Sequence, residues 1–262
     1  MSSAQGTPTS GFAAQADAFH QQVGRRIDAL AARAADGGFD EAISLMVQAL
    51  EAGGVIQAFG TGHSEAFAME IAGRAGGLIP TNRIALRDVV LYGGRSTDIL
   101  GGSELERNPA IVDELFDLSP VGPADVFLIA SNSGVNGSIV GLALRAKAEG
   151  HKLIAVTSLE HTMRVEPKHP SGKRLIDVAD VVLDNLAPYG DATLAMESGM
   201  AIGAVSSITA AYIAQLLTIG TAERIRESGR TPPMYLSANI PGGDEHNRAL
   251  EDRYQGKIRR IA

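Results

Sequence analysis

One local pattern occurs twice in this chain of 262 residues and constrains its fold more than any other feature. A short apolar run, Val55 to Phe59, leads into Gly60-Thr61-Gly62-His63-Ser64 and then into a helical stretch from Ser64 to Ala75. A second run, Val126 to Ala130, leads into Ser131-Asn132-Ser133-Gly134-Val135-Asn136 and a helix from about Gly137 to Ala148 that stops at Gly150. Short apolar runs without polar alternation suit strands buried on both faces, and such strands joined through helices run parallel. Leu153 to Thr157 and Val181 to Leu183 have the same character, and Ile84 to Val90 is expected to supply a further strand. The expected fold class is α/β: a doubly wound, three-layer αβα parallel sheet of about five strands with extra N- and C-terminal helices.

The rest of the chain organises around that core. Helices are expected from Phe12 to Ala34 and from Asp40 to Ala52, where Ile43, Met46, Val47 and Leu50 recur at helical spacing. The implied division is a disordered tail over 1–11, N-terminal helices over 12–54, a core over 55–227 and a C-terminal extension over 228–262. The Ser/Thr/Gly/Pro-rich tail lacks the basic and apolar regions of a signal peptide, so a cytoplasmic location is expected. Residues 158–176 suggest a surface loop with a short helix. The segment from Thr231-Pro232-Pro233 to Asp244 suggests an extended stretch before a last helix from about Glu245, with Asp244 as a natural N-cap.

Ala192 to Ile219 is nearly uncharged and long enough to cross a bilayer of roughly 30 Å. Glu197, Gln215 and several Ser/Thr interrupt it and no aromatic belt flanks it, so a buried or subunit-interface helix is the better reading. That helix needs more cover than one small sheet offers, and a homo-oligomer is expected.

Formal charge is −7, with 23 basic and 30 acidic side chains and no dense Lys/Arg run, which argues against nucleic acid as a partner. There are no cysteines, which removes disulfides, thiolate nucleophiles and Cys-held metals together. His20, His151, His161 and His169 show no metal-ligand spacing, so neither metal nor cofactor is expected.

In an open parallel sheet, ligands bind beyond the carboxyl ends of the strands, where both hydroxyl-rich loops fall. Gly60 and Gly62 let the backbone approach an oxyanion, while Thr61 and Ser64 add hydroxyls at a helix start; Ser131, Asn132, Ser133 and Asn136 offer the same on the second loop. A phosphate could be enclosed there without any lysine. A dinucleotide fingerprint fails, because Ala66 or Phe67 stands where its third glycine belongs.

Ser131-Asn132-Ser133-Gly134-Val135-Asn136 resembles the Ser-x-Ser-Gly-x-Thr/Asn phosphosugar loop of the SIS (sugar isomerase) domain family. The resemblance runs from about Phe39 to Ala222 and includes Ala155-Val156-Thr157-Ser158 and Asp180-Val181-Val182-Leu183-Asp184-Asn185. It implies substrate contacts from Thr157 and Ser158. His169-Pro170-Ser171-Gly172-Lys173-Arg174-Leu175, Gly190-Asp191-Ala192 and the stretch from Ser237 to Asn247 are similar to bacterial phosphosugar-binding proteins of the UPF0309 type. Actinobacterial members of that group are similar to an N-acetylglucosamine-6-phosphate dehydratase of aminosugar metabolism. The implied substrate is thus an N-acetylhexosamine 6-phosphate, which would lose water after proton abstraction at C2. An aldose–ketose phosphosugar isomerase and a non-catalytic phosphosugar sensor remain alternatives.

Such chemistry needs a carboxylate or imidazole beside C2. Glu70 is the first candidate, because Glu70-Ile71-Ala72-Gly73-Arg74 resembles a stretch of phosphoheptose isomerases in which the glutamate is the base. His63 could open the pyranose ring, protonate a departing hydroxyl or merely position backbone. Glu106, with Arg107 beside it, is a second carboxylate candidate or a surface ion pair. The resemblance implies that His246 completes a partner subunit's site; helix capping by its turn is the plain alternative.

Overall fold

The computed structural model describes residues 11–196 and 199–260. The expected tail therefore lies, apart from Gly11, outside the described residues, as does Glu197. Ten helices are described: α1 (Gly11–Ala35), α2 (Asp40–Glu51), α3 (Glu65–Ile71), α4 (Asp88–Leu91), α5 (Glu104–Arg107), α6 (Val112–Leu118), α7 (Gly137–Ala148), α8 (Leu159–Thr162), α9 (Ser206–Glu227) and α10 (Gly243–Glu251). Strands β1 (Ile56–Gly60), β2 (Thr81–Ile84), β3 (Val126–Ala130), β4 (Lys152–Thr157) and β5 (Val181–Asp184) form one parallel sheet in the order β2-β1-β3-β4-β5. β6 (Ala192–Ala195) and β7 (Ala201–Ala204) pair as a separate antiparallel hairpin.

The central strands β1 and β3 are buried along their full length, as their largely apolar sequences require, with the Gln57 amide of β1 bonded to Pro120 O and Asp125. Helices cover the sheet on both sides. One apolar layer joins α2, α3 and α9 to the sheet through Met46, Phe67, Ala214 and Leu217. The opposite layer joins α6 and α7 through Leu115, Ile139 and Leu142. The three-layer α/β expectation holds, and the strand order places its reversal between β1 and β3, the crevice where open α/β sheets bind ligands.

Several local expectations are corrected. Ala192 to Ile219 is not one helix: the hairpin occupies its first half and α9 starts only at Ser206. Gly199 and Gly203 each disfavour helix by about 1 kcal/mol, and the turn between the strands closes through Met196 N–H to Met200 O at 2.8 Å. Asp191 then fixes the break. Its Oδ1 accepts from the amides of Val205 and Ser206 at 3.1 and 2.8 Å, and its Oδ2 from the Ser206 hydroxyl at 2.7 Å. Among the described residues no helix is long and apolar enough to cross a membrane.

The expected strand at Ile84 to Val90 lies instead at Thr81–Ile84, because the Asp88 carboxylate takes the Ala85 amide at 3.1 Å and bends the chain into α4. The helix expected to reach Ala75 ends at Ile71, after a 3₁₀ turn over Gly62–Ser64. The last helix begins at Gly243, capped by left-handed Gly242, which leaves Asp244 in the first turn and not at the cap.

Candidate functional site

Gly60 and Ala130 are paired at the carboxyl ends of β1 and β3, so the two hydroxyl-rich loops leave the sheet side by side. A pocket opens between them, with His63, Ser64, Ser131, Asn132, Asn185 and Ser206 among its walls. The pocket has room for only about 10 Å³, roughly one water, so a larger ligand would rest at its mouth against the loops. Among the described residues no lysine or arginine contributes to its wall.

Packing dictates the loop shapes. A Cβ on Gly60 would fall inside contact distance of the Ser64 carbonyl, because the 3₁₀ turn folds back over the strand end. Gly134 has φ +64, and its amide donates to Ser131 Oγ at 3.1 Å, which closes the second loop on itself. Asn132 is clamped from below. Its carbonyl accepts from the Ser158 amide at 3.2 Å and the Thr157 hydroxyl at 3.3 Å, and its Oδ1 from Asn185 Nδ2 at 3.1 Å.

The other sequence-derived candidates divide. Thr61 is buried, Gly62 and His63 are exposed at the mouth, and Ser133 and Asn136 are half-buried. Thr157 supports the loop from beneath. The Ser158 hydroxyl donates to Ala187 O at 2.6 Å and accepts from the His161 amide at 2.9 Å, which makes it the cap of α8. His161 Nδ1 in turn lies 3.0 Å from the donating Gly190 amide, and burial lowers its pKa, in keeping with an unprotonated acceptor.

Glu106 is brought to the second loop, though it is not among the residues lining the pocket. Asn136 Nδ2 donates to its Oε1, its backbone carbonyl accepts from Ser138 Oγ at 2.7 Å, and its Oε2 lies 3.4 Å from a Cβ built on Gly62. The carboxylate is thus bonded to the second loop and faces Gly62 of the first. Asn136 Oδ1, by contrast, is buried with no protein partner among the described residues. A Cβ on Gly137 would strike the Arg107 carbonyl, so the Glu106–Arg107 backbone is seated directly on the start of α7.

Glu70 lies on α3 six residues beyond Ser64, about 9 Å along the helix. Its carboxylate pairs with Arg74 and accepts from Gln215 Nε2 at 2.5 Å. His246 is not among the pocket residues; its Nε2 lies 3.0 Å from Met234 O, within the C-terminal extension. Ser206 and Ser207 do line the pocket, and sequence reasoning missed them by placing both inside a longer helix. The signal was present in Gly190-Asp191 upstream, an acidic residue able to cap a new helix start. Among the described residues no three of His, Cys, Asp and Glu gather as a metal could use.

Asp191 holds these serines in place from a left-handed conformation, φ 68. Replacing it with Ala removes the cap and leaves a Cβ-bearing residue without the local hydrogen bonds that favour that region. Asp191→Ala is expected to cost about 1–2 kcal/mol in urea denaturation, and Asp191→Asn, which retains Oδ1, less. A loss below about 0.5 kcal/mol for the alanine variant would remove the cap from this account.

Comparison with known proteins is consistent with this geometry. The SIS domain family model matches residues 18–158. The UPF0309 protein lmo0025 of Listeria monocytogenes is 40% identical over 220 residues, covering 83% of this chain and 88% of that protein. A UPF0309 protein of Geobacillus thermodenitrificans is 34% identical over 243 residues, covering 92% and 96%. Among solved structures, a phosphoheptose isomerase from Francisella tularensis superposes with TM-score 0.53 at 17% identity, covering 82% of this chain and all of that one. The E. coli CFT073 protein c3406, solved as a complex, gives 0.50 at 16% identity, covering 84% and 94%. At such identities the structural likeness concerns the fold alone.

Proposed function

The chain belongs to the SIS domain family and is a UPF0309 protein, and from that premise we propose that it is an enzyme acting on a phosphorylated aminosugar. The observation that carries the reading is one carboxylate, Glu106, hydrogen-bonded to Asn136 of the second loop and facing Gly62 of the first, at the strand-order reversal. Ser131, Ser133, Ser64 and the exposed backbone of the loops would hold the phosphoryl group at the mouth of the pocket. An acidic protein can grip an anion in this way, since local N–H and O–H donors act at about 3 Å whatever the net charge.

The substrate class follows from the family resemblance: an N-acetylhexosamine 6-phosphate, with N-acetylglucosamine 6-phosphate as the specific proposal. In its open-chain form the C2 proton is acidified by the C1 aldehyde. Glu106 takes that proton, the C2–C3 double bond forms, and the C3 hydroxyl leaves as water with a proton from His63. Glu70, whose oxygens engage Arg74 and Gln215, is assigned a positioning role at the far end of α3. His246 is proposed to act only if a second copy places it over the pocket.

Isomerisation differs by one step, because the C2 proton would return to C1 through an enol that bears the C2 nitrogen and no water would leave. Incubation with N-acetylglucosamine 6-phosphate followed by mass spectrometry separates them: dehydration lowers the substrate mass by one water and isomerisation leaves it unchanged. If neither product forms from several aminosugar phosphates, while they still bind, a non-catalytic sensor is the surviving reading.

A further inference from the structure

A second cavity, of about 330 Å³, lies away from the two loops, between the end of α3, strand β2 and the C-terminal segment. Its charged wall consists of Arg74, Arg83, Arg259 and Arg260, with no carboxylate among the described lining residues. We propose that this cavity is a second anion site, which binds the phosphoryl group of a small metabolite.

The cavity is built by specific contacts and not by chance exposure of surface arginines. Asn82, 1% exposed beside Arg83, brackets the C-terminal segment: its Nδ2 donates to Lys257 O at 2.6 Å and its Oδ1 accepts from the Arg259 amide at 2.7 Å. Arg260 is then locked by donation to Thr81 O at 2.8 Å and Ile79 O at 2.5 Å, and by its contacts with Tyr235 and Glu251. Arg259 stacks on Tyr92, its guanidinium carbon 3.8 Å from the ring centre, and has no carboxylate within ion-pair distance among the described residues. Arg83 has only Glu65 at 4.0 Å among the described residues, and Glu65 is already paired with Arg87.

Including Arg87, five guanidinium groups stand against the carboxylates of Glu65, Glu70, Asp88 and Glu251. Asp88 is buried, with one oxygen without a partner among the described residues. The α3 carboxyl end contributes at most about half a negative charge, too little to cancel the guanidinium groups of the wall. A basic cavity in a protein of net charge −7 does not follow from composition. Guanidinium forks match phosphate oxygens in pairs, and the volume suits a metabolite of sugar-phosphate size.

The test is calorimetric titration of the full chain with inorganic phosphate in a Ser131→Ala/Ser133→Ala background, which removes loop hydroxyls without touching the cavity. One phosphate per chain should still bind, more weakly as salt rises. Adding Arg83→Gln and Arg259→Gln should weaken that binding at least tenfold, with the melting profile as a control for folding. Should that variant fail to fold, Arg83→Lys keeps the charge but loses the fork, and binding several-fold weaker is expected. Absence of binding in the serine background, or affinity indifferent to the arginine substitutions, would overturn the proposal.

Discussion

Glu106→Gln is expected to lower turnover of the phosphosugar by about 10²- to 10⁴-fold, the usual contribution of a positioned general base, while substrate affinity changes little. The amide keeps the size of the side chain and can still meet Asn136, so folding and loop shape should survive; what is lost is the ability to accept the C2 proton. Glu70→Gln provides the comparison. Its oxygens already serve Arg74 and Gln215, and it lies about 9 Å along α3 from Ser64, so its loss should disturb α3 and α9 and reduce turnover no more than about tenfold. Single-turnover kinetics with both variants decides the matter. A reversed order, with Glu70→Gln inert and Glu106→Gln active, would return the base role to Glu70.

Gly60→Ala is expected to be severely damaging to the site for a single methyl group. A Cβ there would overlap the Ser64 carbonyl oxygen and lie 2.6 Å from its carbon, both backbone atoms that no side-chain rotation can move. Either β1 or the start of α3 must shift, at a cost of about 3 kcal/mol, or a melting temperature lower by roughly 6–12 °C. Phosphosugar binding should disappear with it, because the shift displaces Thr61 to Ser64. Gly24→Ala is the control: it lies within α1 with nothing within 4 Å of the new Cβ, and should be neutral or stabilising by up to about 1 kcal/mol. A Gly60→Ala protein as stable as wild type would contradict the close approach of the 3₁₀ turn to the end of β1.

Much of the sheet was legible in the sequence because buried parallel strands have an unmistakable composition. Val126 to Ala130 was bounded by residue, since five apolar side chains meet a serine where the strand leaves the core. The edge strand β2 was misplaced because its residues, Thr81 to Ile84, are largely polar; Asn82 holds the C-terminal segment and Arg83 lines the second cavity. The hairpin of β6 and β7 was hidden for the opposite reason, its small apolar residues being equally compatible with a helix. Only Asp191, reaching fourteen residues onward to Val205, settles where that helix begins.

The sequence alone determined the α/β class, the two loops and their kinship with SIS phosphosugar loops, because those depend on local hydrophobic patterning and on residue types that tolerate close backbone approach. Tertiary structure alone brings Glu106 to the second loop. Glu106 and Asn136 are thirty residues apart and meet only when α5 is seated on the start of α7. Glu70, near the first loop in sequence, is carried away from it by the 1.5 Å rise per residue of a helix and drawn toward α9.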